Sequence, residues 1–430
     1  MQHPSYDRPI FAFCLPAMLL FTLAFGGCSN GRGVVQGSSD SPAPAASSGQ
    51  PLSACGSLTT HPGYTQQYLY AGNLWGAPVL TVFKIDASTG ALSEMPWSPI
   101  STFNGMLSAT MDPSDKYLYV SSRAPFGLNH QPITTLETFT IPSDDSQPIN
   151  RGHIQSGSSD LRLAFDPQGK FFYELPRSND GQLIPWAVGV DGVPVSAGAL
   201  IPLSLGWPTT YAFKASGNLV LVGHGTAYEQ PLHSQDGVAV YRENCATGTL
   251  SLVKNNIFPV ANFSAFSSDP IGPNFISAST SGDLVVGWYC GVPLPQSNYQ
   301  YHVDAQTGVL TVIPDSQILG LCETSFDSSG QYAIGRMEHD SGSDSIAVFR
   351  VDSVRGLVET DRYTLPLFEG ASQRILSSPI FDLSGTFVYA NATEYVIALR
   401  LDRSTGKLTL VSDYPQAREN SFSPLFIVAR

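Results

Sequence analysis

The sequence predicts an all-β fold: a seven-bladed β-propeller of four-stranded antiparallel blades, its ring closed by the C-terminal strand. Three observations predict it. One polar turn recurs near the head of each repeat, a second recurs nearer its end, and the two chain ends hold strands that complete one another.

The first turn is carried by "MDPSDKYLYV" (111–120), "FDPQGKFFYE" (165–174), "FKASGNLVLV" (213–222), "STSGDLVVGW" (279–288), "FDSSGQYAIG" (326–335) and "FDLSGTFVYA" (381–390). An apolar run ends in a polar turn, usually containing Gly, and a second apolar run starts at once. This is a β-hairpin signature, with Gly supplying the positive φ of the last turn position.

The second turn follows an alternating strand. "VLTVFKIDASTGAL", "GVAVYRENCATGTL", "YQYHVDAQTGVL", "IAVFRVDSVRGLV" and "VIALRLDRSTGKL" each place Asp or Asn four residues before Gly. The Asx side chain caps the turn backbone while Gly takes the left-handed position, which closes a second hairpin. Two copies are eroded, at "TFTIPSDDSQPI" and "WAVGVDGVPV".

Each repeat therefore holds four short strands. The second strands begin near residues 67, 117, 171, 218, 283, 331 and 386, so there are seven repeats spaced 47 to 65 residues apart. Sheets of this size cannot bury both faces alone and pack side by side around an axis. The ends choose a closed ring over an open solenoid. "QQYLYAG" (66–72) is a second-type strand with no first strand before it, and "SPLFIVAR" (423–430) is a first-type strand with nothing after it.

Composition excludes some functions. The 430-residue chain is 42% hydrophobic and only 13% charged, which suits a sizeable core. Its net charge of −13 repels phosphate backbones, so no nucleic-acid partner is expected. The apolar run "IFAFCLPAMLLFTLAF" (10–25) has secretory length, and "GGCSN" after it resembles the cleavage box of bacterial lipoproteins, with Cys28 at the lipidated position. Residues 1–28 are thus expected to be a lipoprotein-type leader, 29–61 a flexible tether rich in Ser, Ala, Gly and Pro, and 62–430 the propeller. The expected address is the bacterial cell envelope, lipid-anchored at the outer membrane or cell surface, with secretion as the alternative. Export permits disulfides. The four cysteines beyond Cys28 allow three pairings. Cys290 and Cys322 flank one loop face in adjacent repeats and are expected to pair, leaving Cys55 with Cys245.

The repeat resembles the lactonase-type seven-bladed propellers, which include 6-phosphogluconolactonases. The likeness rests on Asp166, Pro167, Gly169, Lys170 and Tyr173 in the first turn and on Asp86, Thr89, Gly90 and Leu92 in the second. It covers residues 62–430 and consists of structural motifs, so it implies the fold more strongly than the activity. The resemblance also implies a catalytic Arg-His pair just upstream of a first hairpin. The matching pairs here are Leu107-Ser108, Leu161-Arg162, Thr209-Thr210, Asn274-Phe275, Cys322-Glu323 and Ser377-Ser378, and none is Arg-His. "GPNF" (272–275) keeps the outline of the family's "GPRH" without either functional side chain.

Candidate sites belong on the face opposite the hairpin turns, where the long irregular loops lie. Arg162, Glu323 and Arg374 are the candidate replacements for the missing catalytic pair, near the channel mouth. Arg336, Glu338 and His339 in "RMEHDSGSDS", with His224 in "GHGTAYEQPLHSQDG", are candidate ligand-binding residues. No compact metal-ligand spacing, phosphate loop or Gly-x-Ser-x-Gly elbow occurs, so no metal or cofactor is expected. The expected role is a ligand- or protein-binding module, its partner an envelope protein, a polymer or a small sugar-like ligand. The alternative is a lactonase or related hydrolase or isomerase with a relocated site.

Overall fold

The computed structural model describes residues 66–72, 78–103, 105–123, 134–156, 161–166, 168–176, 182–202, 207–214, 218–225, 237–257, 275–279, 283–287, 297–337, 344–366, 378–392, 395–415 and 425–429. Residues 1–65, with Cys28 and Cys55 and the expected leader and tether, lie outside them. Every described element is a strand, and the strands form seven small antiparallel sheets.

Each sheet is one blade, written here from its innermost strand outwards. Blade 1 is Leu425–Ala429, Gln67–Gly72, Val79–Ile85 and Leu92–Glu94. Blade 2 is Gly105–Met111, Tyr117–Arg123, Thr134–Thr140 and Ile149–Ser156. Blade 3 is Leu161–Phe165, Phe171–Pro176, Gln182–Val188 and Pro194–Ser196. Blade 4 is Trp207–Lys214, Leu219–Gly225, Gly237–Asn244 and Thr249–Ile257. Blade 5 is Phe275–Ala278, Asp283–Gly287, Ser297–Val303 and Leu310–Val312. Blade 6 is Leu321–Phe326, Tyr332–Met337, Ser345–Asp352 and Gly356–Thr364. Blade 7 is Ile380–Phe381, Phe387–Asn391, Tyr395–Asp402 and Lys407–Pro415. The innermost strands touch their neighbours all the way round, and the C-terminal strand meets the inner strands of blades 7 and 2. It pairs with the first blade from Gln67↔Ala429 to Ala71↔Leu425 and so closes the ring.

Both repeated turns are built by side-chain capping. In the first, Asp166 Oδ1 accepts from the Phe171 amide at 2.9 Å, while Gly169 at φ 70° turns the chain back. Asp327 and Asp382 repeat the pattern, accepting from Tyr332 and Phe387 amides at 2.9 and 2.8 Å. In blade 2, whose turn has no Gly, Asp115 (φ 55°) takes the left-handed position, and in blade 4 Asn218 (φ 54°), the residue after Gly217, is also left-handed; short polar side chains tolerate this region. In the second turn Asp86 Oδ1 accepts from the Ser88 and Thr89 amides at 2.9 and 2.8 Å, and Gly90 sits at φ 75°. Asp304 with Gly308 and Asp402 with Gly406 are built alike.

The core is divided among the seven seams between blades. Strand Gln67–Gly72 shows how: it is buried on both faces, sending Tyr68 and Tyr70 towards blade 2 and Leu69 and Ala71 towards blade 7. Each of the other seams likewise holds its own apolar cluster. A polar stitch accompanies the packing. The third residue of the second strand donates to the glycine carbonyl of the next blade's second turn: Tyr119 to Gly192 at 2.6 Å, Tyr173 to Gly248 at 2.6 Å and Tyr389 to Gly90 at 3.0 Å. The Tyr of the repeated first-turn motif is therefore a seam residue. The eroded turn of blade 2 keeps the arrangement in altered form, because Asp145 accepts from the Tyr68 hydroxyl and from Lys84 Nζ, the latter at 2.6 Å. Trp97 joins the same seam, its Nε1 donating to the Asp145 carbonyl at 2.7 Å.

Candidate functional site

The antiparallel order gives the two faces of the ring distinct contents. First strands run towards the capped hairpins, so both repeated turns lie on one face; the connections from second to third strands, and from blade to blade, lie on the other. The start of each inner strand therefore stands at the loop-face mouth of the central channel. That is where the family's catalytic pair would lie.

Three inner strands are irregular there. The register slips between Met106 and Ser108 in blade 2, between Pro208 and Thr210 in blade 4, and between Leu321 and Glu323 in blade 6. The extra residues are Leu107, Thr209 and Cys322, each the first member of a pair aligned with Arg-His. A bulge re-aims the side chains beside it, and bulges gather at barrel rims and functional sites. The backbone device is thus present in blades 2, 4 and 6, with different side chains mounted on it.

In blade 6 that side chain is Glu323. It is half-buried, stands opposite Arg336 in register, and accepts a hydrogen bond from Ser378 Oγ of blade 7 at 2.8 Å. A second contact crosses the neighbouring junction, where Ser277 Oγ of blade 5 donates to the Thr324 carbonyl. Around Glu323 the mouth is a carboxylate flanked by hydroxyls. Such a group accepts hydrogen bonds from ligand O–H or N–H groups. Glu323 and Ser378 occupy the same position in successive repeats, a signal in the repeat alignment that would have paired them; the sequence reading singled out Glu323 alone.

Arg162 holds the position in blade 3 equivalent to Glu323 and Ser378, near the start of the inner strand and opposite Leu175. Arg374, Glu338, His339 and Cys290 lie outside the described residues. His224 belongs to the strand Leu219–Gly225, where it is buried, its Nε2 2.8 Å from Asn255 Oδ1 of the outer strand. One expectation is corrected: Cys322 is a buried thiol and forms no disulfide with Cys290. It is the extra residue of a bulge and is fully enclosed in the core. Cys245, in the second turn of blade 4, accepts a contact from Asn218 Nδ2 at 3.4 Å. Among the described residues no group of three or more His, Cys, Asp or Glu could hold a metal ion.

No family model and no curated protein matches the chain. Solved structures do. A candidate 6-phosphogluconolactonase from Bacteroides uniformis superposes with a TM-score of 0.63 at 11% identity, covering 84% of this chain and 99% of its own. One from Bacteroides fragilis gives 0.62 at 13% identity, over 85% and 98%. The periplasmic gluconolactonase of Pseudomonas aeruginosa gives 0.60 at 13%, over 85% and 99%. The chain has the fold of the lactonase-type seven-bladed β-propellers. At these identities the likeness establishes the fold, and the activity must be argued from the site.

Proposed function

We propose that this protein is an envelope-anchored lactonase-like propeller that acts as a ligand- or protein-binding module through its loop face and channel mouth. One observation carries the reading: the positions aligned with the family's Arg-His pair hold no such pair in any repeat. Ring opening needs a proton-transfer group and positive stabilisation where negative charge develops, both held beside the substrate. Around Glu323 the described mouth offers a carboxylate and hydroxyls, which suit a hydroxyl-rich ligand, with Arg336 opposite in register and Arg162 at the equivalent position of blade 3. The net charge of −13 disfavours a strongly anionic ligand.

A lactone-hydrolysis screen with the purified mature chain, run beside capture on envelope polymers, tests the reading. Inactivity with selective capture is the expected outcome. The second reading, a relocated hydrolytic or isomerising site, rests on the Glu323–Ser378 contact. Turnover abolished by Glu323→Ala, Arg162→Ala or Arg374→Ala would establish it and overturn the first.

Anchoring is proposed through an acyl group on Cys28. The mass of membrane-extracted protein should correspond to a chain starting at Cys28 with lipid added. A mature chain that begins elsewhere and carries no acyl mass would remove the anchor from the proposal.

A further inference from the structure

We propose that the seam between blades 3 and 4 is a proton latch: Glu243 is held as a carboxylic acid that donates to the Tyr173 hydroxyl, Tyr173 donates in turn to the Gly248 carbonyl, and loss of the Glu243 proton loosens the seam. The repeat supplies the first argument, because it contains its own controls. Glu243 immediately precedes the Asx residue of the second turn. Blades 1, 5, 6 and 7 place Ile85, Val303, Val351 and Leu401 there. Blade 4 alone among these puts a carboxyl at an aliphatic position, and the side chain is only 3% exposed.

Geometry supplies the second argument. Tyr173 Oη lies 2.8 Å from Glu243 Oε1 and 2.6 Å from the Gly248 carbonyl. A phenol has one proton and cannot donate to both acceptors. With Glu243 ionised, one acceptor goes unserved; with Glu243 protonated, the chain Glu243 to Tyr173 to Gly248 gives each contact its own proton. The remaining oxygen, Oε2, is buried with no hydrogen-bond partner among the described residues. That vacancy costs far less for a neutral acid's carbonyl than for half of a carboxylate.

The surroundings agree. From blade 3, Glu243 faces Tyr173 and the buried carboxylate of Asp166, whose own charge interaction is with Lys170. Within blade 4, Tyr241 shares its side of the strand and packs into the same seam, while Arg242 turns to blade 5 and donates to the Ala305 and Gln306 carbonyls. Burial, assisted by the Asp166 charge, raises the Glu243 carboxyl to about 7, against the opposing effect of the Tyr173 hydrogen bond.

The direction of the pH effect follows. The folded state keeps a proton that the unfolded state gives up near the ordinary value of 4.5. The latch's contribution is whole below that value, declines as pH rises, and is gone above about 7. One linked proton raises the unfolding constant about tenfold per pH unit across this window. The latch ties one seam of an exported ring to the acidity outside the cell.

Thermal and denaturant unfolding of the full mature chain from pH 4.5 to 8 tests this, with Glu243→Gln as a permanently neutral variant and Glu243→Ile copying blade 1. The wild-type midpoint should fall towards pH 7 and then level off. Both variants should lose that component of the fall. A wild-type midpoint that does not fall across the window, or a Glu243→Gln curve parallel to the wild type, overturns the latch. Should either variant fail to fold, infrared titration of the wild type decides: a buried carboxylic-acid band that disappears near neutral pH supports it, and its absence at pH 5 refutes it.

Discussion

Gly90 shows how much of this fold is decided by single residues. Its φ of 75° already favours glycine, and a Cβ built there would overlap the Phe387 ring of blade 7. Its carbonyl is also the acceptor for Tyr389. Turn, packing and stitch thus converge on one residue. Gly198 separates the contributions, since it too has a positive φ, 136°, yet nothing stands within 4 Å of its Cβ position. Gly198→Ala should lose about 1–2 kcal/mol for backbone strain alone. Gly90→Ala should lose that and roughly 1–3 kcal/mol more, because the aromatic ring must move. The comparison is conservative, since the αL region occupied by Gly90 is the less costly one for alanine. Urea unfolding of the two variants checks it. A Gly90→Ala loss no larger than the αL strain alone, about 1–2 kcal/mol, would mean that the seam yields freely at Gly90.

At the scale of strands and hairpins, the sequence exposes what local chemistry dictates. The second strands begin at Gln67, Tyr117, Phe171, Leu219, Asp283, Tyr332 and Phe387, each within one residue of the position read from the turns. An Asx cap, a left-handed residue and an abrupt apolar run are all short-range features, so their pattern survives without knowledge of neighbours. The three bulges at the channel mouth were not legible. A bulge is a mismatch between two strands, and nothing in "MLSATM" or "LCETSF" alone declares which residue is extra. The enclosure of Cys322 was hidden for the same reason, because it is the extra residue of one of these bulges. The apolar alternation stops before His224 and points to a loop there, whereas the strand runs on to Gly225. Glu243 was legible in principle: aligning the second turns shows one carboxyl in a column of aliphatic residues. Its meaning needed Tyr173, which is 70 residues away.

The whole ring depends on a strand that arrives last. Six blades draw all four strands from one stretch of chain, while the first takes its inner strand from Leu425–Ala429. Five residue pairs join that strand to Gln67–Gly72, and its neighbours in the ring are the inner strands of blades 2 and 7. A chain ending at residue 424 would leave Gln67–Gly72, now buried throughout, with one open edge and both adjoining seams thinned. For an apolar strand of this length, burial contributes about 5–10 kcal/mol before ordering entropy is subtracted, comparable with the ~5–15 kcal/mol net stability of a whole domain. The truncated chain should therefore melt well below the full-length protein or fail to fold. Because the missing piece is a simple strand, a synthetic "SPLFIVAR" peptide added in trans should restore part of the lost midpoint in a concentration-dependent way. A truncated chain with the full-length midpoint would show that six complete blades and a three-stranded remnant hold the ring without closure. Loss of stability with rescue by the peptide would place the closing contribution in that strand.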